Sequence, residues 1–296
     1  NRVIYQSEAI FVNKQAGLTG GYKQMERVQS ANYSFTINRQ DVNQYGQLGK
    51  LDSIILDAPT VSADVSYYVT DGYTERVLGF YVSQAASAAT LASGGFASGA
   101  MIDESGRNIV IVTSPEGSDA DIPSRALTGA ANSAIGIGNA YVSNYSVDMS
   151  VGAIPTASVS FDALNINSDT NASTIATPAI NPVNGTAEIG NCSIPDLRPG
   201  NITVDISNFD GTPVADIGTD SNGAHIQSAS LSVPLSRSTL ERLGSRSAFA
   251  RTVDFPVVSS LSVSAIMNEN DASNLADIID DEVEKDVTLT LKNDGG

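Results

Sequence analysis

Residues 28–70 read VQSANYSFTI (28–37), NRQDVNQYGQLGKLDSIILDA (38–58) and PTVSADVSYYVT (59–70). In the first piece Tyr33, Phe35 and Ile37 fall on one face and Asn32, Ser34 and Thr36 on the other, the period-two pattern of a half-buried strand. Val61, Val65, Tyr67 and Val69 supply the return strand, so the stretch predicts a long hairpin. The polar run between its arms reads as a loop of about twenty residues with Gly46 and Gly49, longer than a compact domain keeps without a use for it. Ile54, Ile55 and Leu56 at its end are costly to leave in water and are expected to pack on another surface. Asp41, Asn43, Tyr45, Leu48, Leu51, Ile54, Ile55 and Leu56 are therefore the candidate contact residues of this loop.

The pattern returns. IQSASLSVPLSRSTLERLG (226–244) lies over VQSANYSFTINRQDVNQYG (28–46) without a gap at an offset of 198 residues (226 − 28). Apolar pairs keep their phase: Tyr33 with Leu231, Phe35 with Val233, Ile37 with Leu235. Pro256 and LSVSAI then follow where the first copy has Pro59 and DVSYYV, which makes duplication the better reading.

Between the copies, Ile109–Val112 is a short apolar run that suits a strand buried on both faces. Residues 114–139 read as a connector rich in Pro, Gly, Ser and Ala, and a second hairpin is expected from Tyr141 to Ile166, turning at Gly152. SQAASAATLAS (83–93) and DASNLADIIDDEVEK (271–285) predict short helices, and the segments around Ile202–Ile206 and Val287–Leu291 predict strands. The N-terminal segment through Phe11 and Val12 reads as a strand or an exposed arm. The Pro- and Gly-containing stretch 171–200 is the expected linker between a β domain over 1–170 and a second over 201–296.

With 41% hydrophobic and only 17% charged residues, the surface is made largely of Ser, Thr, Asn and Gln. The net charge of -17 argues against a protein that grips nucleic acid by its phosphates. Cys192 and His225 are the single cysteine and histidine, which excludes an internal disulfide and a C-x-x-C zinc site and leaves nucleophilic catalysis without apparatus. The carboxylates at Asp119, Asp121 and Asp280–Glu282 stand in polar contexts and read as solvated faces, not acid–base pairs. Asp220–Gly223 begins like a calcium loop but lacks its closing glutamate, and Gly94–Gly95 and Gly136–Gly138 lack the Lys-Ser/Thr of a phosphate loop. No enzyme, cofactor or metal is expected. No apolar run approaches the roughly 18 residues of a membrane-spanning helix, so the chain reads as soluble and made in the cytoplasm.

The segments YQSEAIFV (5–12), RVQSANYSF (27–35), DVNQYGQLG (41–49), APTVSADVSYYVTDG (58–72) and VGAIPTASVSFDALNI (151–166) resemble tail tube (major tail) proteins of long-tailed bacteriophages, over roughly the first 170 residues. The resemblance implies a mainly β chain of sandwich- or barrel-like domains with long hairpin loops and one or two short helices. It implies rings of six such domains, stacked into the tube of a virion tail, through which DNA passes without specific binding. The subunit's partners would be itself and other tail proteins. If each chain carries two such domains, a ring needs three chains, a trimer with pseudo-sixfold symmetry; six chains per ring is the alternative. A capsid decoration or baseplate protein, and a carbohydrate-binding β-sandwich module, are the competing expectations.

Overall fold

The computed structural model describes residues 8–14, 22–55, 60–82, 96–97, 100, 106–115, 120, 133–169, 187–188, 202–207, 225–243, 248, 250–266 and 286–291. The chain is mainly β, and among the described residues the strands pair antiparallel except for one short parallel contact. The expected helices at 83–93 and 271–285, and most of the expected linker over 171–200, lie outside the described residues, as do Cys192 and Asp280–Glu282.

The opening stretch forms the predicted hairpin. Strand β3 (Val28–Thr36) pairs with β6 (Thr60–Tyr68), and Val61, Ala63, Val65 and Tyr67 turn inward while Ser62, Asp64 and Ser66 turn out. The twenty-residue loop is a correction: it continues the hairpin. Beyond β3 the chain forms β4 (Arg39–Val42), turns through 43–51, and returns as β5 (Asp52–Ile55), pairing Arg39 with Ile55 and Val42 with Asp52. These arms carry no inward face, so their strands rest on backbone pairing and gave no alternation to read.

The organising strand is β8 (Ser133–Ser150), 18 residues long. Its first half, which the sequence presents as a connector, pairs with β7 (Arg107–Thr113) on one side and β10 (Asn165–Asp169) on the other. Ala134, Gly136 and Ala140 are buried there, and β7 is buried along nearly all its length, as its apolar run predicts. Asn139 takes the left-handed backbone (φ 57) and a register irregularity follows between Val142 and Asn144, so β8 changes partners at this point. Its second half pairs with β9 (Thr156–Ala163) across a turn at Gly152 (φ 84), the second predicted hairpin.

On the far side of β7 lie β1 (Glu8–Lys14), β2 (Tyr22–Gln24) and β11 (Ala187–Glu188). A single core runs between the two half-sheets: Ile10, Val12, Ile109 and Ile137 meet Val65, Tyr67, Val147, Val159 and Phe161. Ala9, Phe11, Tyr22, Val110 and Val112 form a smaller cluster on the opposite face of β1 and β7. The helix α1 (Tyr73–Leu78) closes the core between Gly72 and Gly79, and a side chain at Gly79 (φ 95) would collide with the Arg107 guanidinium. Strands also form at β12 (Ile202–Ser207) and β17 (Asp286–Leu291), which pair with each other.

The repeat is structural. Strands β13 (His225–Pro234), β14 (Arg237–Leu240), β15 (Ala250–Val253) and β16 (Ser260–Ile266) reproduce the pairing of the opening hairpin at the offset of 198, except for its Phe35↔Val61 and Thr36↔Thr60 pairs. Val28↔Tyr67 becomes Ile226↔Ala265, Ala31↔Val65 becomes Ala229↔Val263, and Arg39↔Ile55 becomes Arg237↔Val253. Even the register irregularity recurs, between Val28 and Ser30 and between Ile226 and Ser228. The register places LSVSAI over Ala63–Tyr68, one residue from the alignment that its wording with DVSYYV suggests.

Candidate assembly interface

Two neighbouring surfaces stand out: a polar face built across six strands, and the hairpins that carry it beyond the core. The strands run in the order β3, β6, β9, β8, β13, β16, all antiparallel. Because side chains alternate, the face opposite the core collects every second residue of each strand. One cross-strand row is serine from edge to edge: Ser30, Ser66, Ser158, Ser146, Ser232, Ser260. The next row holds Asn32, Asp64, Ser160 and Asn144, and another holds Thr156, Asp148, Ser230 and Ser262. These rows carry carboxylates and no Lys or Arg. Their short side chains bond one another: Ser30 Oγ to Ser66 Oγ at 2.7 Å, Ser34 Oγ to Ser62 Oγ at 2.8 Å, and Ser230 Oγ donating to Asp148 Oδ1 at 2.6 Å. The result is a hydroxyl-rich, acidic surface made mostly of short side chains, with Tyr68 beside Thr156 and Tyr141 beside Asp162 at its ends.

The second surface is the pair of hairpin extensions. Tyr45 and Leu48 at the first tip are fully exposed, and Leu51 and Ile54 are exposed beside them. Ile55 is half-buried, Asn43 is exposed, and Leu56 lies outside the described residues. Asp41 is bound by Lys50 Nζ at 2.6 Å across the arm; that hydrogen bond and charge hold its carboxyl below the usual range although it is solvated. The structure thus gathers the described candidate residues, Asp41 to Ile55, on one solvent-exposed arm. Leu243, on the second arm, is as exposed as its counterparts on the first.

Sequence reasoning missed the residues that anchor the second hairpin. Arg237 places its guanidinium carbon 4.9 Å from the ring centre of Tyr141, and Arg251 places its own at 5.6 Å. Arg237 Nη2 also donates to the Ala100 carbonyl at 2.6 Å, and Arg251 Nη1 to that of Asp162 at 3.1 Å. Burial disfavours the Arg251 charge and lowers its pKa. The one legible signal was that Arg39 and Arg237 are identical across the repeat.

Under the polar face lies a buried acid that also gave no sequence signal. Glu75 in α1 accepts hydrogen bonds through Oε1 from Tyr67 Oη at 3.0 Å and Tyr145 Oη at 3.2 Å. Burial raises its pKa despite these bonds, and burial, reinforced by the nearby Glu75 charge, pushes both phenols well above the ordinary tyrosine value. Tyr145 in turn packs on Phe80 and Phe96, whose rings stack at 4.7 Å. This acid is buried, and its bonds to Tyr67 and Tyr145 tie the helix to the sheet.

No protein-family model and no curated protein matches the chain. Among solved structures, a chain in the cryo-EM structure of the anti-feeding prophage cap (AFP tube terminating cap) is similar over 57% of this chain and 91% of its own, at 9% identity and a TM-score of 0.34. A chain in the 6-fold symmetrised structure of the anti-feeding prophage baseplate is similar over 57% of this chain and 96% of its own, at 11% identity and a TM-score of 0.33.

Proposed function

We propose that the chain is a structural subunit of a phage-type tail, forming stacked rings whose bore conducts DNA. The observation that carries this reading is the serine-ladder face. It spans both copies of the repeated hairpin in one continuous sheet and bears Asp64 and Asp148, and its three rows named above hold no Lys or Arg; Arg237 and Arg251 lie at one end of it, over Tyr141. A surface that must let a polyanion slide needs the opposite of a DNA-binding patch: nothing that condenses on phosphate, and short side chains that offer no obstruction. This face lines the bore, and the apolar face packs outward against α1 and the second half-sheet.

The projecting arms, with Tyr45 and Leu48 fully in solvent, are the contacts from one ring to the next, or to other tail proteins. Because the hairpin is duplicated within one chain, a ring with pseudo-sixfold symmetry is closed by three chains. The subunit is placed in the virion tail, acts without cofactor and has no enzymatic role. Electron cryomicroscopy of the assembled particle tests this directly. Three chains per ring, stacked along an axis with the serine rows facing the lumen, is the expected result; six chains would remove the trimer and keep the tube. Monodisperse globular particles under assembly conditions, or serine rows on the outer surface, would remove the reading.

A further inference from the structure

Four polar side chains line up across the half-sheet of β2, β1, β7 and β8. Asn13 on β1 and Asn108 on β7 are register partners, and Asn139 on β8 donates its backbone N–H to Asn108 Oδ1 at 3.4 Å. Carried one step further, the β1–β2 register (Phe11↔Gln24, Val12↔Lys23) brings Tyr22 opposite Asn13. Tyr22, Asn13 and Asn108 are 3%, 4% and 0% exposed, and alternation puts them on the side of the smaller apolar cluster, with Phe11 and Val110. Tyr22 Oη, Asn13 Nδ2, Asn108 Nδ2 and Asn139 Oδ1 are nonetheless buried without a hydrogen-bond partner in the protein. The bond from Asn139 fixes which end of the Asn108 amide is oxygen, so the atom left over there is a donor. Half of the unpartnered buried side-chain atoms among the described residues fall in this one row, which makes it a site and not scatter.

We propose that this row is a hydration site: ordered water held along β1, β7 and β8 bridges the Asn13 and Asn108 amides to the Asn139 oxygen, with Tyr22 Oη at the far end of the same network. A buried donor or acceptor with no partner bears its whole desolvation penalty, and four in one row would cancel a large share of the small net stability of a domain. A partner is therefore required, and the four atoms set its chemistry. All are uncharged, which gives no hold on an ion. Two amides donate, one oxygen accepts and a phenol does either, so the occupant both accepts and donates, and is small enough to be enclosed with atoms this deeply buried. Water meets both conditions, and a buried water commonly serves about three such groups. Gly106 leaves room at the Asn139 end, where a Cβ would stand 3.0 Å from Asn139 Oδ1. The bridge also bears on the path of β8. Asn139 holds the left-handed backbone (φ 57) where β8 changes partners, and water on Oδ1 ties its side chain to β7 as the bond to Asn108 ties its backbone. The site belongs to the single chain and stands whether or not the chain forms a tube.

The test is a sign, read on the full chain. If these atoms had no partner, replacing one by an apolar group of like shape would relieve an unpaired group and stabilise the fold; if water bonds them, the same change breaks a bridge and destabilises it. Tyr22→Phe removes one oxygen and adds no volume, and Asn13→Leu replaces an amide by an alkyl group of similar size. Each should lower the melting temperature by about 2–4 °C. A density map that resolves ordered solvent should place water about 2.7–3.2 Å from Asn13 Nδ2, Asn108 Nδ2 and Asn139 Oδ1. Should Asn13→Leu fail to fold, Tyr22→Phe and the map decide. A higher melting temperature in either variant, or a map in which these amides bond one another or the backbone with no solvent between them, would overturn the site.

Discussion

At the scale of single residues, Glu75 joins stability to pH. Its pKa in the unfolded chain is that of an ordinary glutamate, and burial raises it in the folded state. The folded protein therefore favours the protonated form: the stability linked to this group is fully present below the unfolded pKa and is lost as pH rises through the folded one. Glu75→Gln keeps an acceptor for the Tyr67 and Tyr145 hydroxyls and removes the charge. Thermal melts of wild type and variant should converge in acid and separate in favour of Gln as pH rises toward neutrality; a difference independent of pH would show that the charge is not what matters. Glu75→Leu instead removes the acceptor that two buried hydroxyls share, and should cost about 3 kcal/mol in denaturant unfolding. Tyr141 is the other residue with leverage, since Arg237 and Arg251 both lie over its ring. Tyr141→Leu keeps bulk but removes the π face, and should lower stability by about 1–2 kcal/mol while raising proteolytic cleavage within 225–266.

At the scale of elements, what was legible in the sequence followed burial. The β3–β6 and β8–β9 hairpins and the β7 run were readable because one face, or both, meets the core, and burial imprints a period on the residue types. The β4–β5 arm has no buried face, so Arg39–Val42 carried no period and passed for a loop. The first half of β8 is mostly buried, and its small residues, Gly136, Gly138 and Ala140, imitated a connector. Helix α1 has six residues, too few to display a 3.6 period, and is set by the glycines at its ends. The repeat was the strongest signal because it compares the chain with itself and needs no rule about burial. The candidate loop residues were found by their cost in water, and that cost makes a prediction about the arm. Leu48→Lys with Tyr45→Ser at the tip should leave the melting temperature within about a degree, because neither side chain touches the body. Stacking should fall sharply, read as the length of particles in negative stain; full-length stacks would exclude the tip from the axial contact.

At the scale of the whole molecule, one sheet serves two environments, and the sequence alternates to satisfy both. Inward residues such as Val65, Val159 and Val147 hold the fold, so the outward rows are free of any packing demand. They are nonetheless almost uniform: six serines in one row are drawn from strands far apart in the chain. Solubility alone would be served as well by Lys and Glu, which elsewhere make up much of a protein surface. Selection for short, uncharged or acidic groups along whole rows fits a surface past which a polyanion moves. That argument predicts a separation of assembly from conduction. Ser66→Lys with Ser158→Lys puts two adjacent cations in the middle of the longest row, at positions where the side chains extend away from the core. Rings and stacks should form at normal length, while DNA release from particles carrying the variant should slow, most strongly at low ionic strength, where phosphate contacts are least screened. Release at the wild-type rate across a range of salt would mean that this face does not line the path of the DNA.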